Sequence, residues 1–220
     1  MEQITIVYSK DDPALTCNKA YDGESFTTET VADANPGSTI NIKWNRWPSD
    51  HKGPITTYAA RCGDTREACN GFQAKDVVWF KIDEAGYDIN AGTWATDTLI
   101  QGGDVWTFQL PNNIQQGAYL IRHEILALHS QGAPQWYPHC FAVYLSWGNG
   151  PLQGTPVSIP GTVYSTPEDD QALFGSIYDT QAVQQMKIPG PALVQKRDID
   201  LEDDSESVQR RHAHTRKHLH

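Results

Sequence analysis

Apolar and polar positions alternate most clearly in two runs joined by a loop. In the first, Tyr119, Ile121, His123, Ile125 and Ala127 share one face of an extended segment, and Leu120, Arg122, Glu124, Leu126 and Leu128 share the other. The second face mixes charge with leucine, so periodicity alone gives this strand only partial support. The second run, 141–147, alternates in the same way. Strands are predicted over 4–8, 39–44, 56–60, 77–82, 105–110, 118–128 and 141–147, separated by Gly, Pro, Asn and Asp clusters. Asn35-Pro36-Gly37 and residues 111–117 are turn chemistry. No long helical period lies between the strands. The pattern predicts an all-β, antiparallel sandwich rather than an α/β fold.

Length and charge narrow the picture. At 220 residues and 39% apolar, the chain can bury one substantial core, and a single sandwich of this length is ordinary. A formal charge of −10 argues against a nucleic-acid or anionic-membrane surface as the main partner and leaves a neutral polymer compatible. No apolar run is long enough to cross a bilayer. Residues 1–195 are expected to form one sandwich. From Lys196-Arg197 the chain turns strongly acidic and then, from Arg210, basic and histidine-rich. Opposed charge blocks without apolar periodicity predict a disordered tail over 196–220. Its histidines, His212, His214, His218 and His220, would bind metal weakly and adventitiously.

The residues before Tyr8 show neither a basic n-region nor an apolar h-region, so no secretory signal is read in the sequence as given. Yet the four cysteines, Cys17, Cys62, Cys69 and Cys140, point to an oxidising compartment. Cys62 and Cys69 flank a short polar turn, while Cys17 and Cys140 would close a large loop; four cysteines allow three connectivities. Free buried cysteines are the weaker reading. A Cys2His2 zinc site finds no supporting C-x2-C or H-x3-H pair outside the tail.

Candidate chemistry lies between the alternating runs. Gln135 and Tyr137, spaced i, i+2 on an extended segment, point the same way and can serve one site, while Cys140 faces the opposite side. His129 stands just before the loop and reaches that site if the loop folds back. A buried histidine bonded to a tyrosine or glutamine is the commoner arrangement, and these residues alone favour it.

The decisive partner lies upstream, in Trp44-Asn-Arg-Trp47-Pro-Ser-Asp50-His51-Lys-Gly-Pro54. This block is followed by Trp79-Phe-Lys-Ile-Asp-Glu-Ala-Gly86, Leu120-Ile-Arg-His-Glu-Ile-Leu-Ala-Leu-His129, Gln135-Trp-Tyr-Pro-His-Cys140 and Ile188-Pro-Gly-Pro191. The succession, across most of the chain, resembles the fungal lytic polysaccharide monooxygenases of auxiliary activity family 9, formerly glycoside hydrolase family 61. That resemblance implies an immunoglobulin-like or fibronectin-like sandwich with long loops forming a flat face. It favours a Cys17–Cys140 disulfide, which leaves Cys62 with Cys69. It further implies one copper ion, held in the family by an N-terminal histidine and by a second histidine that here is His51, with Tyr137 axial. His129 and Gln135 become the outer pair that hydrogen-bonds the oxygen species at the metal. The reaction implied is oxidative cleavage beside a β-1,4 glycosidic bond at C1 or C4, on cellulose or a related β-glucan, by a secreted monomer. No flavin or haem motif is visible, so electrons would come from an external reductant or a partner oxidoreductase.

The sequence departs from the family's pattern in two places. No histidine precedes His51, so the first ligand is missing; a signal peptide and the first strand are expected to be absent as well. With only His51 and Tyr137 supplied, the chain is expected to bind copper weakly and to be nearly inactive. Before Ile188, where many members carry a glucan-stacking tyrosine, the segment reads Gln184-Gln-Met-Lys187, leaving Tyr164 and Tyr178 as candidates. A non-catalytic polysaccharide-binding or cell-wall protein is the main rival. A hydrolase would need a carboxylate pair, and nothing in the spacing of Asp83, Glu84, Asp97 and Glu124 selects one.

Overall fold

Two long strands carry the molecule, and both come from the alternating runs. In a computed structural model describing residues 5–18, 30–74, 76 and 78–194, the elements in chain order are β1 (Val31–Ala34), β2 (Thr39–Lys43), β3 (Ile55–Gly63), β4 (Phe80–Ala85), β5 (Tyr87–Asp88), β6 (Thr93–Trp94), α1 (Ala95–Gln101), β7 (Val105–Gln109), β8 (Gly117–Ala127), β9 (Gln135–Leu145), α2 (Pro167–Phe174) and α3 (Thr180–Gln185). The tail over 196–220 lies outside the described residues.

β8 and β9 form a hairpin in register from Gly117 opposite Leu145 to Ala127 opposite Gln135. They centre a five-stranded sheet in the order β1-β9-β8-β3-β4, and β2 pairs with β7 in a second sheet. One face of the central sheet buries Ile55, Tyr119, Ile121, Ile125 and Ala127 against Ile40, Ile42, Trp106 and Phe108 of the β2–β7 pair. On the other face Leu120, Leu126, Leu128 and Trp136 of β9 pack with Leu15, Tyr164, Leu173 and Val183 from the terminal segments and helices. The predicted division of 119–128 into two faces is therefore observed, and both faces are buried.

Several predicted boundaries move. Of the run predicted over 4–8, residue 4 lies outside the described residues and 5–8 contribute an isolated bridge from Val7 to Trp136; the chain then enters the 3-10 turn Pro13–Leu15, where Pro13 supplies no ladder donor. The strand predicted over 77–82 becomes β4, shifted onward, since Trp79 bridges to Val157 instead. β9 starts at Gln135, ahead of the predicted 141. β1 is an addition, and its pairing with β9 is parallel, an exception to an otherwise antiparallel sheet.

Two disulfides, Cys17–Cys140 and Cys62–Cys69, match the expected pairing. The first ties the turn before residue 18 to β9, on the face opposite Tyr137. Arg66, in the loop that the second closes, donates to the Asp33 carboxylate and to the carbonyl of Val31 at 2.7 Å, which ties that loop to β1 at the sheet edge.

His123 is buried on the face toward β2–β7, its Nδ1 3.1 Å from Thr57 Oγ1. Burial, aided by the Arg122 charge, pushes its pKa down to about 3 from 6.5. An unfolded His123 gains its proton near pH 6.5, whereas the folded one resists it, so the unfolded state binds more protons through that window. Stability is therefore expected to fall as pH drops below about 6.5, by up to ~1.4 kcal/mol per pH unit. Urea midpoints measured from neutral to mildly acidic pH should show this slope, and His123→Asn should flatten it.

Candidate active site

The loop before β3 brings the site together. After Trp47 and Pro48 the chain runs extended beside the end of β8: Leu126 donates to Pro54 O at 3.1 Å and Leu128 to Lys52 O at 2.8 Å. Gly53 is required by this approach, since a Cβ there would lie 1.9 Å from the Leu126 carbonyl oxygen. Trp47 Nε1 caps the loop by donating to His51 O at 3.0 Å. Lys52 reaches across to Asp97 on α1, whose other carboxylate oxygen accepts from Trp94 N. Gly53→Ala is expected to push the loop off β8, cost about 1–3 kcal/mol of stability and separate His51 from His129. Urea unfolding and a His51–His129 ring-proton NOE measure the two effects.

The result is a cluster at the mouth of the β8–β9 hairpin. The His51 and His129 rings stack with centroids 4.0 Å apart. Tyr137 lies 6.2 Å from His51, centroid to centroid, and the Trp47 ring packs edge-on to Tyr137 at 4.9 Å. Tyr137 Oη donates to Gln135 Oε1 at 2.9 Å, as two residues on one face of β9 can. Four of the residues singled out in sequence thus meet: His51 from the loop, His129 from the hairpin turn, Gln135 and Tyr137 from β9.

Electrostatics refine the picture. Burial pushes the Tyr137 phenol up to about 12, with the negative charge of Asp50 adding to the shift, so it stays protonated at physiological pH. Burial, and then the neighbouring His51, lower the pKa of His129 and favour its neutral form. His129 Nδ1 is buried without a hydrogen-bond partner among the described residues. His51 Nδ1 is 2.9 Å from Asp50 Oδ1.

The tyrosine candidates separate. Tyr178 is 70% exposed, and its hydroxyl donates to His129 O at 2.8 Å, which places an exposed ring beside the cluster. Tyr164 is buried against Trp136 and donates to Glu124, which makes it a packing residue. The carboxylates weighed for hydrolysis are dispersed: Glu124 pairs with Arg122 inside, Glu84 with Lys81, Asp97 with Lys52, and Asp83 accepts from Trp106 Nε1.

A profile of Auxiliary Activity family 9 (formerly GH61) matches residues 2–185. The chain belongs to this family. An AA9 family lytic polysaccharide monooxygenase F from Malbranchea cinnamomea is 38% identical over 187 residues, covering 82% of this chain and 72% of that protein. A lytic polysaccharide monooxygenase A from the same organism is also 38% identical, over 83% of this chain and 52% of its own length. The chain spans about half the length of several such relatives. Among solved structures, HiLPMO9B superposes with a TM-score of 0.72 at 30% identity, over 85% of this chain and 82% of that one. A cellulose-active polysaccharide monooxygenase from M. thermophila superposes at 0.71 and 31% identity, over 88% and 85%. AA9 is a family of oxidoreductases with β-sandwich folds, and this chain shares that fold.

Whether the AA9 cluster suits copper can be tested on its donors. His51 Nε2 has no partner among the described residues, and Tyr137, having committed its proton to Gln135, keeps oxygen lone pairs free. One imidazole nitrogen with a phenol oxygen is a borderline donor pair that copper accepts. Among the described residues, no three His, Cys, Asp or Glu side chains converge on one metal position. The cluster therefore fits one side of a copper centre.

Trp47, Asp50 and Lys52 were not singled out from sequence as parts of the site. Their one signal was position, within the block around His51.

Proposed function

We propose that this chain is a copper-dependent enzyme of AA9 that cleaves β-1,4-glucan chains such as cellulose oxidatively, at C1, C4 or both. The observation that carries the proposal is the convergence of His51, His129, Gln135 and Tyr137 at one exposed hairpin mouth. His51 Nε2 and Tyr137 Oη would hold copper, which when bound supplies the one-electron oxidation chemistry.

The protein's own contribution follows from the geometry. Tyr137 stays a neutral phenol because burial raises its pKa, and its hydroxyl donates a hydrogen bond to the Gln135 side-chain oxygen. His129, favoured neutral, offers an uncharged imidazole in ring contact with His51, and together with Gln135 it orients the oxygen reactant. Trp47 packs edge-on against Tyr137 on the inner side of the cluster. Tyr178 offers a ring face to the glucan. Tyr178→Ala is expected to weaken cellulose retention several-fold, about 1 kcal/mol, in a pull-down assay.

The two disulfides suit an extracellular enzyme. No described helix is long and apolar enough to cross a membrane. The enzyme acts as a monomer with electrons from an external reductant or partner oxidoreductase. Among the described residues this reading gives copper one imidazole, His51, beside the Tyr137 phenol, and with that donor pair binding is expected to be weak and turnover low. That same shortage favours one rival, a non-catalytic polysaccharide-binding protein. Mass spectrometry of cellulose incubated with protein, copper and reductant separates them. Oxidised oligosaccharides in small amounts, dependent on reductant and lost in His51→Ala, support the enzyme. Retention on cellulose without oxidised products supports the binder.

A further inference from the structure

Asp50 stands at the solvent edge of the cluster, directly before His51 in the chain. Its side chain is 75% exposed, and its hydrogen-bond partner among the described residues is His51, Oδ1 to Nδ1 at 2.9 Å. Both backbones are held: His51 N donates to Pro48 O at 3.2 Å, Lys52 N to Asp50 O at 2.9 Å, and Trp47 Nε1 to His51 O. The carboxylate therefore meets the ring with the loop already fixed, while His129 stacks on the ring's face.

A carboxylate only accepts, so the short contact requires a proton on Nδ1. The tautomer that results carries its lone pair on Nε2, and which ring nitrogen is protonated is set by the hydrogen bond the other nitrogen's side makes. The same hydrogen bond on His⁺ would leave no ring nitrogen for a metal, so the neutral form is the relevant one.

We infer that Asp50 is a positioning residue: through its Oδ1–Nδ1 hydrogen bond it orients the His51 ring and keeps Nε2 as the nitrogen available to a metal ion. This rests on the reading of His51 as a copper ligand, but ring orientation is measurable without copper. The hydrogen bond to His51 also holds the Asp50 carboxyl below its usual pKa, which keeps the acceptor ionised.

Long-range 1H–15N correlation on the metal-free full chain, at alkaline pH where imidazole is neutral, reads the tautomer directly. The His51 signals are identified by their loss in His51→Gln. Nδ1–H is expected in the parent and in Asp50→Asn, whose amide oxygen still accepts, and a large Nε2–H population is expected in Asp50→Ala. Nε2–H in the parent, or no change in Asp50→Ala, overturns the inference. A second arm measures copper affinity in full chains with His212, His214, His218 and His220 replaced by alanine. There Asp50→Ala should bind roughly 10-fold more weakly than Asp50→Asn, and equal affinities overturn the inference. If neither variant nor parent binds copper, the functional reading falls, and the tautomer populations still decide the role of Asp50.

Discussion

Glu124→Ala is expected to destabilise the protein by about 3–5 kcal/mol, enough to leave much of it unfolded at ordinary temperature. Arg122 and Glu124 are both almost fully buried on the sheet face packed with leucine, and they pair directly. The guanidinium also donates to Leu15 O at 2.7 Å and Thr16 O at 2.9 Å, and it sits 5.5 Å from the Tyr58 ring centroid. Glu124 in turn accepts from Tyr164 Oη. Removing the carboxylate strands a buried cation and a buried hydroxyl together, which costs far more than the pair contributes when intact. The double variant Arg122→Met/Glu124→Leu should recover much of the loss, because apolar side chains of similar volume need no counter-charge. Urea denaturation compares the three chains. A loss below about 1 kcal/mol in Glu124→Ala would show that water reaches this network.

The second large effect is expected from Cys17→Ala/Cys140→Ala. These cysteines are 123 residues apart in sequence, and Cys62 and Cys69 only 7. In the chain-entropy account, the first crosslink stabilises by about 5 kcal/mol and the second by about 2–3. The Cys17 segment also supplies the carbonyls that Arg122 binds. Its loss and the loss of Glu124 therefore touch one network and should not add. Unfolding midpoints of the two disulfide variants should differ about two-fold in the stability lost; equal losses would place the effect in native packing instead.

Arg122 and Glu124 also show why periodicity went only part of the way. Alternation places them correctly with Leu120 and Leu126, but charge mixed with leucine on that face leaves the strand only partly supported. Their partners, the carbonyls of residues 15 and 16 and the hydroxyl of Tyr164, lie far away in sequence. β1 was illegible for another reason: Val-Ala-Asp-Ala is too short and too poor in β-branched residues to announce a strand, and it exists because β9 offers an edge. α1 opens at Trp94 without the usual Ser, Thr, Asp or Asn cap. α2 does carry such a signal, Thr166-Pro-Glu-Asp169, but spans little more than two turns.

At the site, spacing alone could align Gln135 with Tyr137. It could not bring His51 to His129, since that contact depends on a glycine-enabled loop lying against β8. The resemblance to AA9 made that link. It did not distinguish Tyr178 from Tyr164; burial did.

If His51 and Tyr137 form one side of a copper centre with His129 and Gln135 beside it, the full chain with His212, His214, His218 and His220 replaced by alanine should still take up copper(II), as a titration followed by electron paramagnetic resonance would show. Weak binding of one equivalent is expected, and it should disappear in His51→Ala. Tight stoichiometric binding, or binding indifferent to His51, would contradict it.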